Sequence, residues 1–67
     1  MKKPVTGNAL RIRLIRKLNK EGKQMRRHNN GWLVIAGDAV VERYDSIVDF
    51  ATKYEVIKPY EDCSDCR

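Results

Sequence analysis

With 67 residues, 42% of them hydrophobic and 34% charged, the chain is expected to form one small domain with a modest core, and this composition argues against a wholly disordered protein. A net charge of +5, together with no apolar run near the roughly 18 residues of a membrane span, argues against a membrane-spanning chain. No signal-peptide core follows Met1, so we expect a protein of the cytoplasm.

The charges are distributed unevenly along the chain. The first 31 residues contain ten Lys or Arg and one acid, whereas the remaining 36 contain four Lys or Arg and eight acids. A strongly basic half is typical of a protein that binds a polyanion, although a solvated surface or head-to-tail pairing of identical chains would also use it. We therefore expect nucleic acid or an anionic protein surface as partner, and a homo-oligomer stays open.

An α-helix is predicted first, after a flexible basic lead-in over residues 1–7. Thr6 or Asn8 can cap its start, and Gly22 can end it in the left-handed conformation. The buried stripe is expected to consist of Leu10, Leu14, Ile15 and Leu18. The opposite side is expected to carry Arg13, Arg16, Lys17 and Lys20. The alternation over residues 10–14 would also suit a strand, but the stripe continues beyond it and good helix formers fill the segment.

Three strands are predicted after the helix. The first runs from Lys23 to His28, and the following Asn29-Asn30-Gly31 predicts a tight hairpin, because a type I′ turn needs positive φ at both central residues. The second strand is the apolar run from Trp32 to Ile35, and the third runs from Val40 to Tyr44.

A second helix is predicted to start at Ser46, with Asp49 three residues on as a capping-box variant. Its buried stripe is expected to consist of Ile47, Phe50, Ala51 and Tyr54. Val56-Ile57 is expected to add a short edge strand. The order α-β-β-β-α predicts one α+β domain over residues 8–58, in which two helices cover one face of a three-stranded antiparallel sheet. Residues 59–67 are expected to form an acidic tail that contributes little to stability.

The main functional signal is a surface rich in Arg and Lys. Arg outnumbers Lys there, and its planar fork suits phosphate or carboxylate better than an ammonium group does. Trp32, beside the hairpin turn, suits either stacking on a base or a place at the rim of the core. The predicted binding residues are Arg13, Arg16, Lys17, Lys20, Lys23, Arg26, Arg27 and Trp32. The seven cations among them are called the Arg/Lys face below.

Neither catalysis nor metal binding is predicted, and no cofactor is expected. His28 is the only histidine, and local spacing fixes no Cys, Ser or carboxylate beside it. Cys63 and Cys66 form a CxxC, but a zinc site needs four ligands, and acidic neighbours disfavour the thiolate that a redox site uses. We interpret this motif as part of the tail, with a metal site or a redox pair as the weaker alternatives.

Four features occur in order along residues 13–35: the helix sequence Leu14-Ile15-Arg16-Lys17-Leu18, a glycine at 22, the basic pair Arg26-Arg27, and Gly31 before an apolar strand. In these features the chain resembles the small HicA-type RNA-interferase toxins and, more broadly, double-stranded-RNA-binding-like domains. The resemblance implies an α-β-β-β-α fold with a link to RNA. The toxins place their catalytic histidine just after the glycine, where this chain has Trp32-Leu33, so RNA cleavage is not carried over.

The short length and basic start also resemble accessory proteins of bacteriophages, including host-takeover and anti-defence factors. The leading hypothesis is a non-enzymatic phage or mobile-element accessory protein whose Arg/Lys face contacts nucleic acid or a nucleic-acid-handling complex. The alternative is a protein-directed inhibitor of a host defence system, similar to anti-CRISPR factors, with an apolar interface around Trp32, Val34 and Tyr44. A third hypothesis is a HicA-like fold without RNase activity.

Overall fold

The computed structural model describes residues 2–65, which fold in the order β-α-β-β-β-α-β. The elements are β1 (Lys3–Val5), α1 (Gly7–Lys20), β2 (Lys23–His28), β3 (Gly31–Ala36), β4 (Ala39–Tyr44), α2 (Ile47–Lys53) and β5 (Glu61–Cys63). Strands β2, β3 and β4 form an antiparallel sheet in that order, whereas β1 pairs in parallel with β5. The predicted α+β fold is confirmed, with both helices and all three central strands.

Helix α1 begins and ends where its sequence provides caps. The Thr6 hydroxyl accepts a hydrogen bond from the Ala9 amide at 3.0 Å, and the helix is followed by Gly22 at φ +72°. Leucines at 10, 14 and 18 recur every four residues and are fully buried. Ile15 is 38% exposed instead of buried as predicted. It follows Leu14, and each residue turns the helix by about 100°, so its side chain lies at the margin of the leucine stripe.

The core lies between the two helices and one face of the central sheet. Val34 is fully buried on β3, and α2 supplies the fully buried Phe50 and Ala51. Met25 and Trp32 pack against this cluster from the same side of the sheet. Side chains alternate along a strand, so Leu33 and Ile35 lie on the opposite face, which neither helix covers and which is called the open face below.

Both ends of the described chain belong to the fold, which corrects the predicted flexible lead-in for residues 2–7 and the predicted loose tail for residues 59–65. Val5 lies opposite Cys63 in the β1–β5 pair and is buried in the core. The Lys3 amide donates to the Tyr60 carbonyl at 2.6 Å, and the Ser64 amide donates to the Val5 carbonyl at 2.7 Å. The domain therefore extends beyond residues 8–58, through pairing between distant segments that no local pattern signals.

Two local predictions also need correction. Val56-Ile57 forms no strand, because the Val56 amide continues the end of α2 by donating to the Ala51 carbonyl at 2.9 Å, and both side chains pack against the core. The predicted type I′ turn centred on Asn30-Gly31 is also wrong. Gly31 already belongs to β3, and the positive φ of +53° lies earlier, at Asn29. Gly31 is required for space, since a Cβ atom there would lie 2.5 Å from the Tyr44 carbonyl oxygen.

Candidate binding site

The structure divides the Arg/Lys face into three groups. Arg13 and Lys23 take part in intramolecular ion pairs. The second group, on the exposed side of α1, consists of Arg16, Lys17 and Lys20. The third group consists of Arg26 and Arg27, which lie beside Trp32 near the turn between β2 and β3. The predicted face is therefore not one continuous surface of free cations.

Arg13 holds the ends of the fold together and is not a free cation. Its guanidinium donates to both carboxylate oxygens of Glu61, at 2.8 and 3.0 Å, and to the Val56 carbonyl at 2.9 Å. The hydrogen bonds from Arg13 and from the Lys58 amide lower the pKa of the Glu61 carboxyl to about 2, and the same ion pair raises the pKa of Arg13. Helical spacing alone placed Arg13 with Arg16, and the partner on β5 corrects this.

Lys23 is also engaged within the molecule. Its ammonium lies 3.4 Å from Glu21, 4.0 Å from Glu42 and 5.9 Å from the centroid of the Tyr54 ring. Hydrogen bonds donated by the hydroxyls of Tyr44 and Tyr54 lower the pKa of the Glu42 carboxyl. Because Lys23 faces these acids, it contributes less positive potential to a ligand than the sequence predicts.

The apolar interface predicted around Trp32, Val34 and Tyr44 is not available as one surface. Val34 is fully buried, and the Tyr44 ring stacks on Phe50 with a centroid distance of 4.6 Å. Burial and the hydrogen bond to Glu42 raise the pKa of Tyr44 to about 12. The exposed aliphatic side chains lie elsewhere on the sheet, at Val40 (56%) and Val41 (49%) of strand β4.

A concave groove of about 880 Å³ lies between the first half of α1, the end of β2 and the start of α2. Its apolar lining consists of Ile15, Met25, Trp32, Ile47 and Val48. Its cations are Arg11, Arg26 and Arg27. Within residues 2–65, none of these three arginines forms an ion pair. The groove therefore combines apolar surface with arginines that form no ion pair within the described chain.

Local sequence spacing explains how the groove is built. Arg11 and Ile15 are four residues apart and share one side of α1, and Arg11 also donates to the Asn8 side chain at 3.1 Å. Met25 and Arg27 are two residues apart on β2, so both face the helices, whereas the side chain of Arg26 between them lies on the open face. Arg27 lies directly opposite Trp32, and its guanidinium carbon is 5.0 Å from the centroid of the indole ring, which is a cation–π contact.

Sequence reasoning predicted Arg26, Arg27 and Trp32 but missed the other groove residues. Arg11 is absent from the predicted binding set, and Ile15, which the sequence predicts in the core, lines the groove instead. The missed residues are Arg11, Ile15, Met25, Ile47 and Val48. The alternation of β2 could have indicated that Met25 shares a face with Arg27. No local pattern could have brought the start of α2 beside them.

Two carboxylates limit where an anion can lie in the groove. Asp65 accepts a hydrogen bond from the Gly7 amide at 2.6 Å, so the start of α1 already carries a negative partner. Asp45, just before α2, also lines the groove. Anionic groups of a ligand are therefore expected near Arg11 and Arg27.

His28 lies exposed at the end of β2, beside a recess of about 360 Å³ that Arg43 and Asp45 also line. Among the described residues, no hydrogen bond joins His28 to Asp45, and no group of three or more His, Cys, Asp or Glu side chains could hold a metal ion. Cys63 is not a free thiol, and Cys66 of the CxxC lies outside the described residues. In the same part of the chain, neither helix is long and apolar enough to cross a membrane.

The chain matches no protein-family model, and comparisons with curated proteins and with solved structures gave no match either. The likeness to HicA-type toxins and phage accessory proteins therefore depends on the residues quoted for it alone.

Proposed function

We propose that this is a non-enzymatic nucleic-acid-binding protein of the cytoplasm, which acts as an accessory factor of a phage or mobile element. The observation that carries the proposal is the groove, in which the Arg27 guanidinium lies over the Trp32 ring, close to Arg11 and Arg26. Arginine, with its planar fork of donors, is well suited to phosphate oxygens, and an aromatic ring nearby suits bases.

Further cations lie on the exposed side of α1. Arg16, Lys17 and Lys20 are exposed and form no ion pair within the described chain, so they add positive charge outside the groove. Each cation that neutralises a phosphate releases a counterion, which supplies affinity that weakens as salt concentration rises. A nucleic acid that enters the groove would thus gain further contacts along the exposed side of α1.

The test is the affinity for an oligonucleotide over a range of salt concentrations, measured for the wild type and for R11A/R27A. We expect a steep fall of affinity with salt in the wild type, and a slope smaller by about 1 for each arginine that contacts a phosphate. The matched control is R43A/K53A, which removes the same charge from exposed positions outside the groove. Equal losses in the two variants would mean that net charge alone determines binding, and would refute the groove as the site.

A second candidate function is inhibition of a host protein through the open face. Leu33 and Ile35 lie there, and the exposed Val40 continues the aliphatic surface with Arg43 beside Leu33 in the strand register. Aliphatic side chains flanked by cations complement a protein surface that carries acidic groups. This candidate predicts a complex that resists nuclease and changes little with salt, and that V40E abolishes while R11A/R27A leaves it intact.

A further inference from the structure

We propose that the groove receives an unpaired base of a single-stranded nucleic acid, and that this base stacks on the guanidinium plane of Arg27. Trp32 would support the guanidinium from its other side. This inference rests on the proposed function and narrows its ligand from nucleic acid in general to single strands. It gives Arg27 the role of stacking on a base, whereas the sequence predicts Arg27 only as one cation of the Arg/Lys face.

The Trp32–Arg27 contact places a guanidinium over an aromatic ring in the groove before any ligand arrives. The two residues are direct cross-strand partners in the β2–β3 register, and 5.0 Å separates the guanidinium carbon from the ring centroid. The contact with the indole restricts the otherwise mobile arginine side chain, so less conformational freedom is lost when a base arrives. Arg27 is exposed, so its guanidinium is accessible to a ligand.

The size and lining of the groove suit a base. Its volume of about 880 Å³ lies within the range of roughly 300 to 1,000 Å³ that is usual for small-ligand sites. Ile15, Met25 and Val48 supply apolar surface against which a base can be desolvated. Asn8 and Ser46 also line the groove and offer hydrogen-bonding groups to the polar edge of a base.

The concave shape favours single strands over a duplex. Bases of a duplex are already paired and stacked inside the helix, so a duplex offers phosphates, sugars and base edges but no free base face for stacking. Those phosphates could reach the exposed cations Arg16, Lys17 and Lys20 on α1, but no base would enter the groove. A single strand satisfies both parts of the surface, with its base on Arg27 and its phosphates near the cations.

Trp32 is the only tryptophan, so its fluorescence reports on this site alone. The full chain is titrated with an oligothymidylate of about ten nucleotides, which is within the usual site size of single-strand-binding domains. Two probes accompany it: an abasic strand of the same length and charge, and a duplex hairpin. We expect quenching by the oligothymidylate and an affinity about 5- to 150-fold weaker for the abasic strand, which is the usual effect of losing one stacked base.

The R27K variant separates stacking from charge. It keeps the positive charge but removes the planar group, so the preference for oligothymidylate over the abasic strand should largely disappear while the salt dependence stays. R43K is the matched control outside the groove and should keep the preference, and circular dichroism checks the fold of both variants. Equal affinity for all three nucleic acids, or a preference that survives R27K, would overturn the base platform but leave the proposed function. No binding to any of them at low salt would overturn the proposed function itself.

Discussion

Arg13 on α1 and Glu61 on β5 are 48 positions apart in sequence, yet the guanidinium donates to both oxygens of the carboxylate, at 2.8 and 3.0 Å. The Glu61 side chain is 4% exposed, and it also accepts a hydrogen bond from the Lys58 amide at 2.8 Å. Because α1 belongs to the central core and β5 pairs with β1, this ion pair joins the two ends of the chain to the core. Its geometry is bidentate, which is the strongest arrangement of an arginine with a carboxylate.

We expect Arg13→Ala to lower the melting temperature, because it leaves the buried Glu61 carboxylate without its main partner. Arg13→Lys should have an intermediate effect, since an ammonium group cannot donate to both oxygens in the same planar geometry. Thermal unfolding followed by circular dichroism measures both. Arg16→Ala removes an exposed arginine three residues further along α1 and should leave the melting temperature unchanged. Identical melting curves for the Arg13 and Arg16 variants would contradict the structural role of Arg13.

The same ion pair predicts a loss of stability in acid. The pKa of the Glu61 carboxyl is about 2 in the folded chain, against an ordinary value of 4.5, so its contribution is complete above about pH 4.5. As the pH falls from there towards 2, the unfolded chain takes up the proton first and the contribution is lost. The free energy of unfolding should therefore fall over this range in the wild type and fall less in Glu61→Gln. Glu42, whose pKa is also lowered, should account for part of the remaining slope.

The central fold could be predicted because its signals are local. Thr6 and Ser46 cap helices that start just after them, and both hydroxyls accept the expected amide hydrogen bonds, from Ala9 and Val48. The β1–β5 pair could not be predicted in this way. Val5 and Cys63 are partners in this pair although most of the chain separates them in sequence. Strands of three residues are also too short to show a recognisable alternation.

Only part of the candidate site could be predicted, because some of its contacts are local in sequence and others are not. Arg27 and Trp32 are both expected near the hairpin turn, but their direct pairing depends on the observed register, in which His28 lies opposite Gly31. Arg13 and Arg16 share helical spacing, but only the tertiary fold decides that Glu61 neutralises the first and leaves the second exposed. A periodic pattern identifies a side of a helix, whereas the charge that remains on it depends on residues elsewhere in the chain.

Truncation after Pro59 is expected to destabilise the protein, although its sequence suggested a dispensable tail. The truncated chain would lose strand β5, which is the partner of β1, and with it the carboxylate that binds Arg13. We expect a lower melting temperature and a shallower transition by circular dichroism. Tyr60→Ser is the control, because its side chain is 58% exposed and its backbone carbonyl still accepts from Lys3. A truncated chain as stable as the full one would show that the β1–β5 pair contributes nothing.

Gly31→Ala should destabilise the hairpin by about 1 to 3 kcal/mol, the usual cost of forcing an extra carbon into a packed site. The added Cβ would lie 2.5 Å from the Tyr44 carbonyl oxygen, which is backbone and cannot rotate away. Chemical denaturation measures the change. Gly37→Asn is the comparison, since nothing lies within 4 Å there and asparagine tolerates its φ of +63°. If the two substitutions cost the same, the close approach at Gly31 does not limit the fold.

His28→Ala tests the proposal that the protein binds without catalysis. An RNA-cutting site needs a proton acceptor near a 2′-hydroxyl and a donor for the leaving oxygen, and each typically contributes about 10² to 10⁴ in rate. His28 is exposed at the end of β2, and although Asp45 lines the same recess, no hydrogen bond within the described chain orients the imidazole towards it. We therefore expect His28→Ala to reduce nucleic-acid affinity by a few-fold at most, as the loss of one contact would. The measurement pairs a binding titration with a cleavage assay on labelled RNA. A cleavage activity in the wild type that falls about a hundredfold in His28→Ala, with binding and folding unchanged, would make this protein an enzyme.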